Sequence, residues 1–323
     1  MPDYIIAIRS LGSSPYLENE LRQIYAQTVQ PKEVLIFIPE GYKRPEFQIA
    51  DEQYIQVKKG MASQRLRSYD DVKTDYILML DDDVSLQPES VEKLLEEAKK
   101  NKTDIIGADT FCNYKLPFSK KLYAAITNLV LPHFSQKWAF KILPNASFSY
   151  LNNPRKNYYP SQSCAGNVML WKTESYNSLK MEDELWIDNL PFAYGDDMLE
   201  SYKVYKNGRK LGVVFNSGIK HLDYRSASDS FRKSPDFIKK RTLAQIAVWC
   251  RTCYQPEKSN FKKKSLAQFC FILKKLWQFK LFLLLSLIKF NFSYIGNYIK
   301  GLKEGWKFVH SEMFKNLPPY VIR

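Results

Sequence analysis

The first 110 residues alternate short apolar runs with amphipathic stretches. Tyr4–Ile8, Glu33–Ile38, Tyr54–Val57 and Ile105–Ala108 read as buried strands. Between them Leu17, Leu21, Ile24 and Tyr25 recur at helical spacing after Ser14 and Pro15, where Pro suits a first turn. Val91, Leu94, Leu95 and Ala98 do the same after Pro88. Gly60–Val72, which carries Arg65 and Arg67, predicts a further helix. Strand, helix and strand with short joints form the crossover unit of a parallel sheet. Residues 1–110 therefore predict a nucleotide-binding α/β half.

One strand in that series ends differently. Ile77–Leu80 is an apolar run that stops at three consecutive carboxylates, Asp81, Asp82 and Asp83. In a parallel sheet the crevice outside the strand ends is where ligands bind. Three adjacent acids repel one another unless a cation lies among them. Mg²⁺ or Mn²⁺ would bridge one or two such carboxylates to substrate phosphates. Acidic turns also serve as helix caps, so the triplet acquires meaning only from its context.

Beyond residue 110 the alternation weakens. Phe111–Gln162 is rich in aromatics, Lys, Pro and Asn, with Leu122, Ala125, Ile126, Leu129 and Val130 spaced for one amphipathic helix. Insertions of this length are usually functional or mobile. Cys164, Ala165 and Gly166 lead into an apolar run, Val168–Trp171, and a Gly in that place marks close approach of a backbone. Gly195, Asp196 and Asp197 start a helix, where acids suit the dipole. Asn207 and Gly208 stop it, Leu211–Phe215 predicts a strand, and His221 follows. From these changes we divide the chain into 1–110, a second half over 111–228, and a helical, basic region over 229–323.

That last region has its own character. Lys262, Lys263 and Lys264 precede Leu266–Phe290, an apolar stretch interrupted by Lys274, Lys275 and Lys280. Its longest uninterrupted run is shorter than the ~20 residues of a spanning helix. Two readings remain: basic amphipathic helices in a membrane interface, or a helical cap on the preceding domain.

The chain has 323 residues, a net charge of +14, 21 Tyr and 20 Phe. Such a balance favours an anionic partner: nucleic acid, membrane surface or phosphorylated substrate. Five scattered Cys form no disulfide framework and fit a reducing compartment. Cys250 and Cys253 are a lone pair at C-x-x-C spacing, without the second pair a zinc site needs. The start of the chain lacks a basic segment followed by a long apolar one, so no secretory leader is expected. The sequons at Asn145 and Asn291 are then accidental.

Taken in order, these pieces resemble family-2 nucleotide-sugar glycosyltransferases with the GT-A fold, from about Tyr4 to about Ser228. The resemblance rests on Ala26, Gln27 and Thr28 with Pro31, on Gly60 with Gln64 and Arg65, on Asp81–Asp83, on Cys164–Gly166, and on Gly195–Asp197. It implies a mostly parallel sheet flanked by helices and an inverting, metal-dependent transfer. It assigns the metal, Mg²⁺ or Mn²⁺, to Asp83 and Asp81, with His221 as a further ligand or a structural residue. Donor binding falls to Arg65, Asp81, Asp82 and Glu40, though Arg65 also reads as a surface charge. Gly166, Trp186 and Tyr194 fall on the acceptor side. Asp197 becomes the catalytic base, with Asp196 beside it for acceptor binding or capping. Two departures stand out: Glu40 replaces the Asp expected after the second strand, and Asp196-Asp197 replaces Glu-Asp.

The expected partners are a nucleotide-diphospho-sugar, a glycan or lipid-linked acceptor of cell-surface polysaccharide synthesis, and an anionic membrane surface. The expected location is the cytoplasmic side of the cell membrane, peripherally attached. A non-catalytic relative that binds membrane or glycan is the alternative, and the intact acid sets argue against it. Nucleic acid is not expected, because no RNA-binding signature or zinc-finger spacing accompanies the charge.

Overall fold

The computed structural model describes residues 2–110, 117–129, 137–151, 153–222, 234–257 and 260–322. Cys112, Val130, His133 and Asp223 lie outside them.

Among the described residues eight strands form one sheet. Strands β1 (Tyr4–Arg9), β2 (Val34–Pro39), β3 (Gln53–Val57) and β4 (Tyr76–Asp81) run parallel in the order β3-β2-β1-β4. After β5 (Val84–Ser85) and β6 (Ile105–Ala108) come two short hairpin strands, β7 (Phe140–Ile142) and β8 (Phe148–Tyr150). β9 (Tyr158–Ser161), β10 (Val168–Lys172) and β11 (Leu211–Val214) complete the main sheet. β10 lies antiparallel between β4 and β6, and β11 continues parallel to β6 with β9 antiparallel at the edge. Six strands thus share one direction. This is the mostly parallel, helix-flanked sheet expected of a GT-A fold, and residues on both sides of position 110 build it together.

The strands sort their side chains with a period of two. Tyr4, Ile6, Ile8, Leu78 and Leu80 face one core, which helices α1 (Leu17–Tyr25) and α2 (Ser90–Asn101) cover. Ile5, Ala7, Ile77 and Met79 face the other. Both faces are therefore dry, which is why β4 reads as a continuous apolar run. α1 buries Leu17, Leu21 and Ile24, one stripe of its surface. Each such side chain contributes roughly 1.5–3 kcal/mol of burial.

The helix expected over Gly60–Val72 does not form; the backbone makes successive turns. Side chains from elsewhere hold it. Asp188 accepts the Ala62 and Ser63 amides at 2.9 and 2.7 Å, and Gln64 donates to the Ser10 and Phe37 carbonyls. Tyr176 donates to the carbonyls of Arg65 and Arg67, both at 3.0 Å. Satisfying the backbone from outside removes the need for a helical ladder.

The C-terminal region is a cap. After α3 (Phe118–Asn128), α4 (Thr173–Ser178), a 3-10 segment (Met181–Asn189), α5 (Asp196–Lys206) and β12 (Lys220–His221), helix α6 (Pro235–Trp249) ends in a π turn, Cys250–Tyr254. α7 (Phe261–Ile288), α8 (Ser293–Val309) and α9 (Glu312–Lys315) follow. Trp249 stacks on Phe271 at 4.0 Å, and the Tyr320 hydroxyl donates to the Leu199 carbonyl at 2.6 Å. Buried Glu184 accepts from Arg251 at 2.7 and 2.9 Å and meets Lys203 at 3.1 Å. The region is thereby locked to the sheet through buried, paired charges.

The same cap turns part of itself inside out. Lys274 and Lys275, which interrupt the apolar stretch, are buried and donate to the Asn145 carbonyl and to Gln245. Phe269, Ile272, Leu276, Leu283 and Leu287 on α7 are exposed instead. α3 packs on α7 through Tyr123 and Trp277, and its own Phe118, Leu122, Ile126 and Leu129 are exposed as well. Among the described residues no helix is long and apolar enough to cross a membrane.

Candidate active site

The site forms where the carboxyl ends of β1 and β4 meet the start of β10 and the first turn of α5. Register fixes the first contact: Arg9 and Asp81 are partners across β1 and β4. Arg9 grips Asp81 with two bonds of 2.8 Å, through Nε and Nη2. Its Nη1 reaches Asp196 Oδ2 at 3.1 Å. Arg65, nearly fully buried, donates to Asp81 at 2.9 Å, to Glu200 at 3.1 Å, and to the Gly166 carbonyl at 2.5 Å. It also lies 3.4 Å from Asp196. The resulting lattice of two guanidiniums and three carboxylates ties the loop after β3, both central strands and α5 into one unit. Charge-assisted, bidentate bonds of this kind are the strong ones.

Electrostatics follow from that lattice. The carboxyl of Asp81 is held below its usual range by Arg9 and Arg65, against the opposing effect of burial. Glu200 is pushed up to about 8, because burial outweighs its single guanidinium contact. Asp197 is pushed up to about 6 by burial and by the neighbouring Asp196 charge. It is half-buried, and its Oδ1 accepts the Met198 amide at 2.7 Å. Asp196 and Asp197 thus differ: the first is pinned by arginines, the second is left outside the arginine lattice with a pKa suited to proton transfer.

Gly166 has a steric reason. A Cβ there would lie 2.6 Å from Arg65 Nη1 and 2.9 Å from Asp197 Cβ. The glycine lets β10 approach both groups, so its place is behind the acids. Gly195 opens α5 with φ of 86°, the left-handed region that glycine tolerates.

The remaining acids of the triplet diverge. Asp82 accepts the Ser10 hydroxyl at 2.5 Å, and its carbonyl accepts from Ser14. Asp83 is buried and lies 3.2 Å from His221 Nε2, brought close by the β5–β12 pairing. Glu40 stands exposed just past β2 at the same sheet edge.

Three residues expected at the site have other partners in this structure. Asp81, expected as a metal ligand, accepts from Arg9 and Arg65 and anchors the lattice. Arg65 is likewise committed, and its buried guanidinium neutralises protein acids where a donor phosphate was expected. Trp186 is buried against Phe314 and Phe308, and its indole donates to Glu184, so it meets no acceptor. Tyr194, two residues before Asp196, accepts from Arg241 at 3.2 Å and lies under that guanidinium.

Arg9 and Glu200 carry no signal strong enough to mark them in the sequence alone. Glu200 is one helical turn beyond Asp196, so it shares a face with it. Arg9 is the charged residue ending an apolar strand, and strand order alone would pair it with Asp81.

Metal fit turns on Asp83 and His221. A carboxylate beside an imidazole, with diphosphate oxygens completing the shell, suits a hard divalent cation that binds few protein ligands. Among the described residues no group of three or more potential ligands is assembled.

Residues 53–158 match the model of glycosyl transferase family 2. The family resemblance drawn from the motifs is borne out there, and the match supports a nucleotide-sugar glycosyltransferase. It includes Arg65 and Asp81–Asp83, and stops before Gly166 and the acids of α5. No curated protein matches the chain.

Proposed function

We propose that the protein moves a sugar from a nucleotide-diphospho-sugar to a glycan or lipid-linked acceptor, in a divalent-metal-dependent, inverting reaction of cell-surface polysaccharide synthesis. The observation that carries this reading is the separation of roles at one sheet edge. Asp83 lies beside His221, while Asp197, at the start of α5, makes no bond to the arginines and has its carboxyl pushed up to about 6.

Asp83 and His221 would hold the cation against the donor diphosphate, where it would neutralise the charge of the leaving group. The chain's own residues do the rest. Asp197 accepts the proton of the acceptor hydroxyl as that oxygen attacks the anomeric carbon. The bond from that carbon to the diphosphate oxygen breaks, and its electron pair leaves with the nucleoside diphosphate. A single displacement inverts the centre. Asp196, held by Arg9 and Arg65, fixes the start of α5 and keeps a second negative charge beside Asp197. That charge raises Asp197's basicity towards the range where a general base works near neutral pH. Gly166, behind the acids, leaves room for Arg65 and Asp197. Glu40 and Asp82 border the crevice on the donor side.

The exposed stripes of α3 and α7, with Lys262, Lys263 and Lys280 beside them, support attachment to the cytoplasmic face of an anionic membrane. Each such Lys near the surface contributes about 1 kcal/mol, and the apolar residues add burial.

The test is a panel of nucleotide-sugars scored for divalent-cation-dependent release of nucleoside diphosphate. One donor should be turned over by the wild type and not after chelation. Turnover at an undiminished rate in chelator would exclude the role given to Asp83 and His221.

A further inference from the structure

Helices α6, α7 and α8 enclose a cavity of about 380 Å³. That is within the range of small-ligand sites. One wall is a single face of α7 and its C-terminal cap, where Gln278, Phe282, Leu285 and Lys289 follow at spacings of four, three and four. Arg241 and Gln245, one turn apart on α6, form the facing wall. The lining thus combines apolar Phe237, Ile238, Phe282 and Leu285 with polar Thr242, Gln245 and Gln278, and is cationic at the exposed Arg241 and Lys289.

The charge is unbalanced. Among the described residues no carboxylate pairs with Arg241, Lys274, Lys275 or Lys289, whereas nearby Lys239 and Lys240 pair with Glu304 and Asp236. Lys275 is buried directly behind the cavity. Its Nζ donates to Gln245 Oε1 at 2.8 Å and to Gln278 Oε1 at 3.2 Å, two side chains that line it. Burial, then Lys274 and Arg241, hold the Lys275 ammonium well below its usual pKa. Burial thus favours the neutral form of Lys275, and an anion bound nearby would favour the charged one.

Position adds the remaining clue. Arg241 donates to the Tyr194 hydroxyl, and Tyr194 is separated from Asp196 by Gly195 alone. Val248, on the same helix as Arg241, lies against Gly195. Leu281, Leu284 and Ile288, chain neighbours of the lining Phe282, Leu285 and Lys289, are exposed. Arg241 thus ties the cavity wall to the segment that leads into α5.

We propose that this cavity is the acceptor's anchoring subsite, taking a phosphate linked to a hydrocarbon chain, with the phosphate at Arg241 and Lys289 and the chain along Phe282 and Leu285. The sugar carried by that phosphate would extend past Tyr194 towards Asp197. The inference rests on the reading of the protein as a glycosyltransferase and narrows its acceptor to the lipid-linked class. A soluble glycan has no use for the apolar wall, and a bulk lipid headgroup has no use for the path to Asp197.

Calorimetric titration of the full chain with octyl phosphate, octanol and inorganic phosphate tests it. Octyl phosphate should bind at least tenfold tighter than either of the others. Arg241→Gln and Lys289→Gln should each weaken octyl phosphate about tenfold while leaving octanol unchanged, and Leu285→Trp should weaken both by filling the cavity. Thermal unfolding curves that overlay the wild type's show that the two polar variants are folded. Octyl phosphate binding no tighter than octanol, or indifferent to both polar variants, would overturn the proposal. Loss of octyl phosphate binding in the presence of phosphatidylglycerol vesicles would assign the cavity to bulk headgroups and overturn it as well. The titration needs no donor and no turnover. Specific binding without transfer from any nucleotide-sugar would therefore count against the glycosyltransferase reading and leave the subsite standing.

Discussion

At the scale of the residue, two adjacent aspartates have been given different work by their neighbours. Asp196 is held by Arg9 and Arg65, while Asp197 is lifted to about 6 by burial and by the Asp196 charge. A base acts only when ionised, so turnover should rise with pH through about 6 and level off above it. A rate profile with its acid limb near the ordinary carboxylate value would show that another group is the base. Gly166 makes a second residue-scale prediction. Gly166→Ala places a Cβ 2.6 Å from Arg65 Nη1 and 2.9 Å from Asp197. Overpacking of this kind costs about 1–3 kcal/mol, and here it also displaces the base. Turnover should drop at least tenfold while the protein stays folded, as read by thermal unfolding beside steady-state rates. The acids are visible in the sequence because strand ends and helix starts expose them at fixed offsets. Their arginine partners are not, because Arg9 and Arg65 meet Asp81 only once strand order and an irregular loop are known.

At the scale of the element, the buried strands are legible because a strand covered on both faces must be apolar at every position, as Ile77–Leu80 is. The loop after β3 reads as a helix and is not one, because its order comes from Asp188 and Tyr176, far away in sequence, and from Gln64 pointing out of the segment. Helix α7 is legible as basic and apolar, but its facing is not. Lys274 and Lys275 sit inside because Asn145 and Gln245 receive them, which leaves the apolar stripe outward. Changing that stripe should therefore alter attachment and not folding. Leu276→Ser with Leu283→Ser should weaken sedimentation with anionic vesicles several-fold at an unchanged melting temperature. Equal sedimentation of the variant would mean that the stripe meets something other than lipid. In contrast, Arg251 is an element-scale lock. Arg251→Met leaves Glu184 buried with Lys203 and Trp186 only, and breaking such a pair costs about 3–5 kcal/mol. Denaturant unfolding of that variant should show a loss of this size.

At the scale of the whole molecule, the cap and the catalytic sheet are one structure. The packing of Trp249 on Phe271 and of Trp186 on Phe314, and the bond from Tyr320 to Leu199, would all be lost if the chain ended before Phe261. Removing the cap should thus destabilise the sheet domain, so point variants separate attachment from folding where truncation cannot. In the proposed reading Asp83 and His221 serve the donor, the acids of α5 serve the acceptor hydroxyl, and the cavity of the cap takes the acceptor's phosphate. The central claim of that reading is that Asp197 takes the acceptor's proton. The most direct measurement compares single-turnover sugar transfer by the wild type and by Asp197→Asn, with donor affinity measured in parallel. The expected result is a loss of about 10²–10⁴-fold in the transfer rate with donor affinity little changed. Transfer at the wild-type rate by Asp197→Asn, with Asp196→Asn inactive, would contradict it.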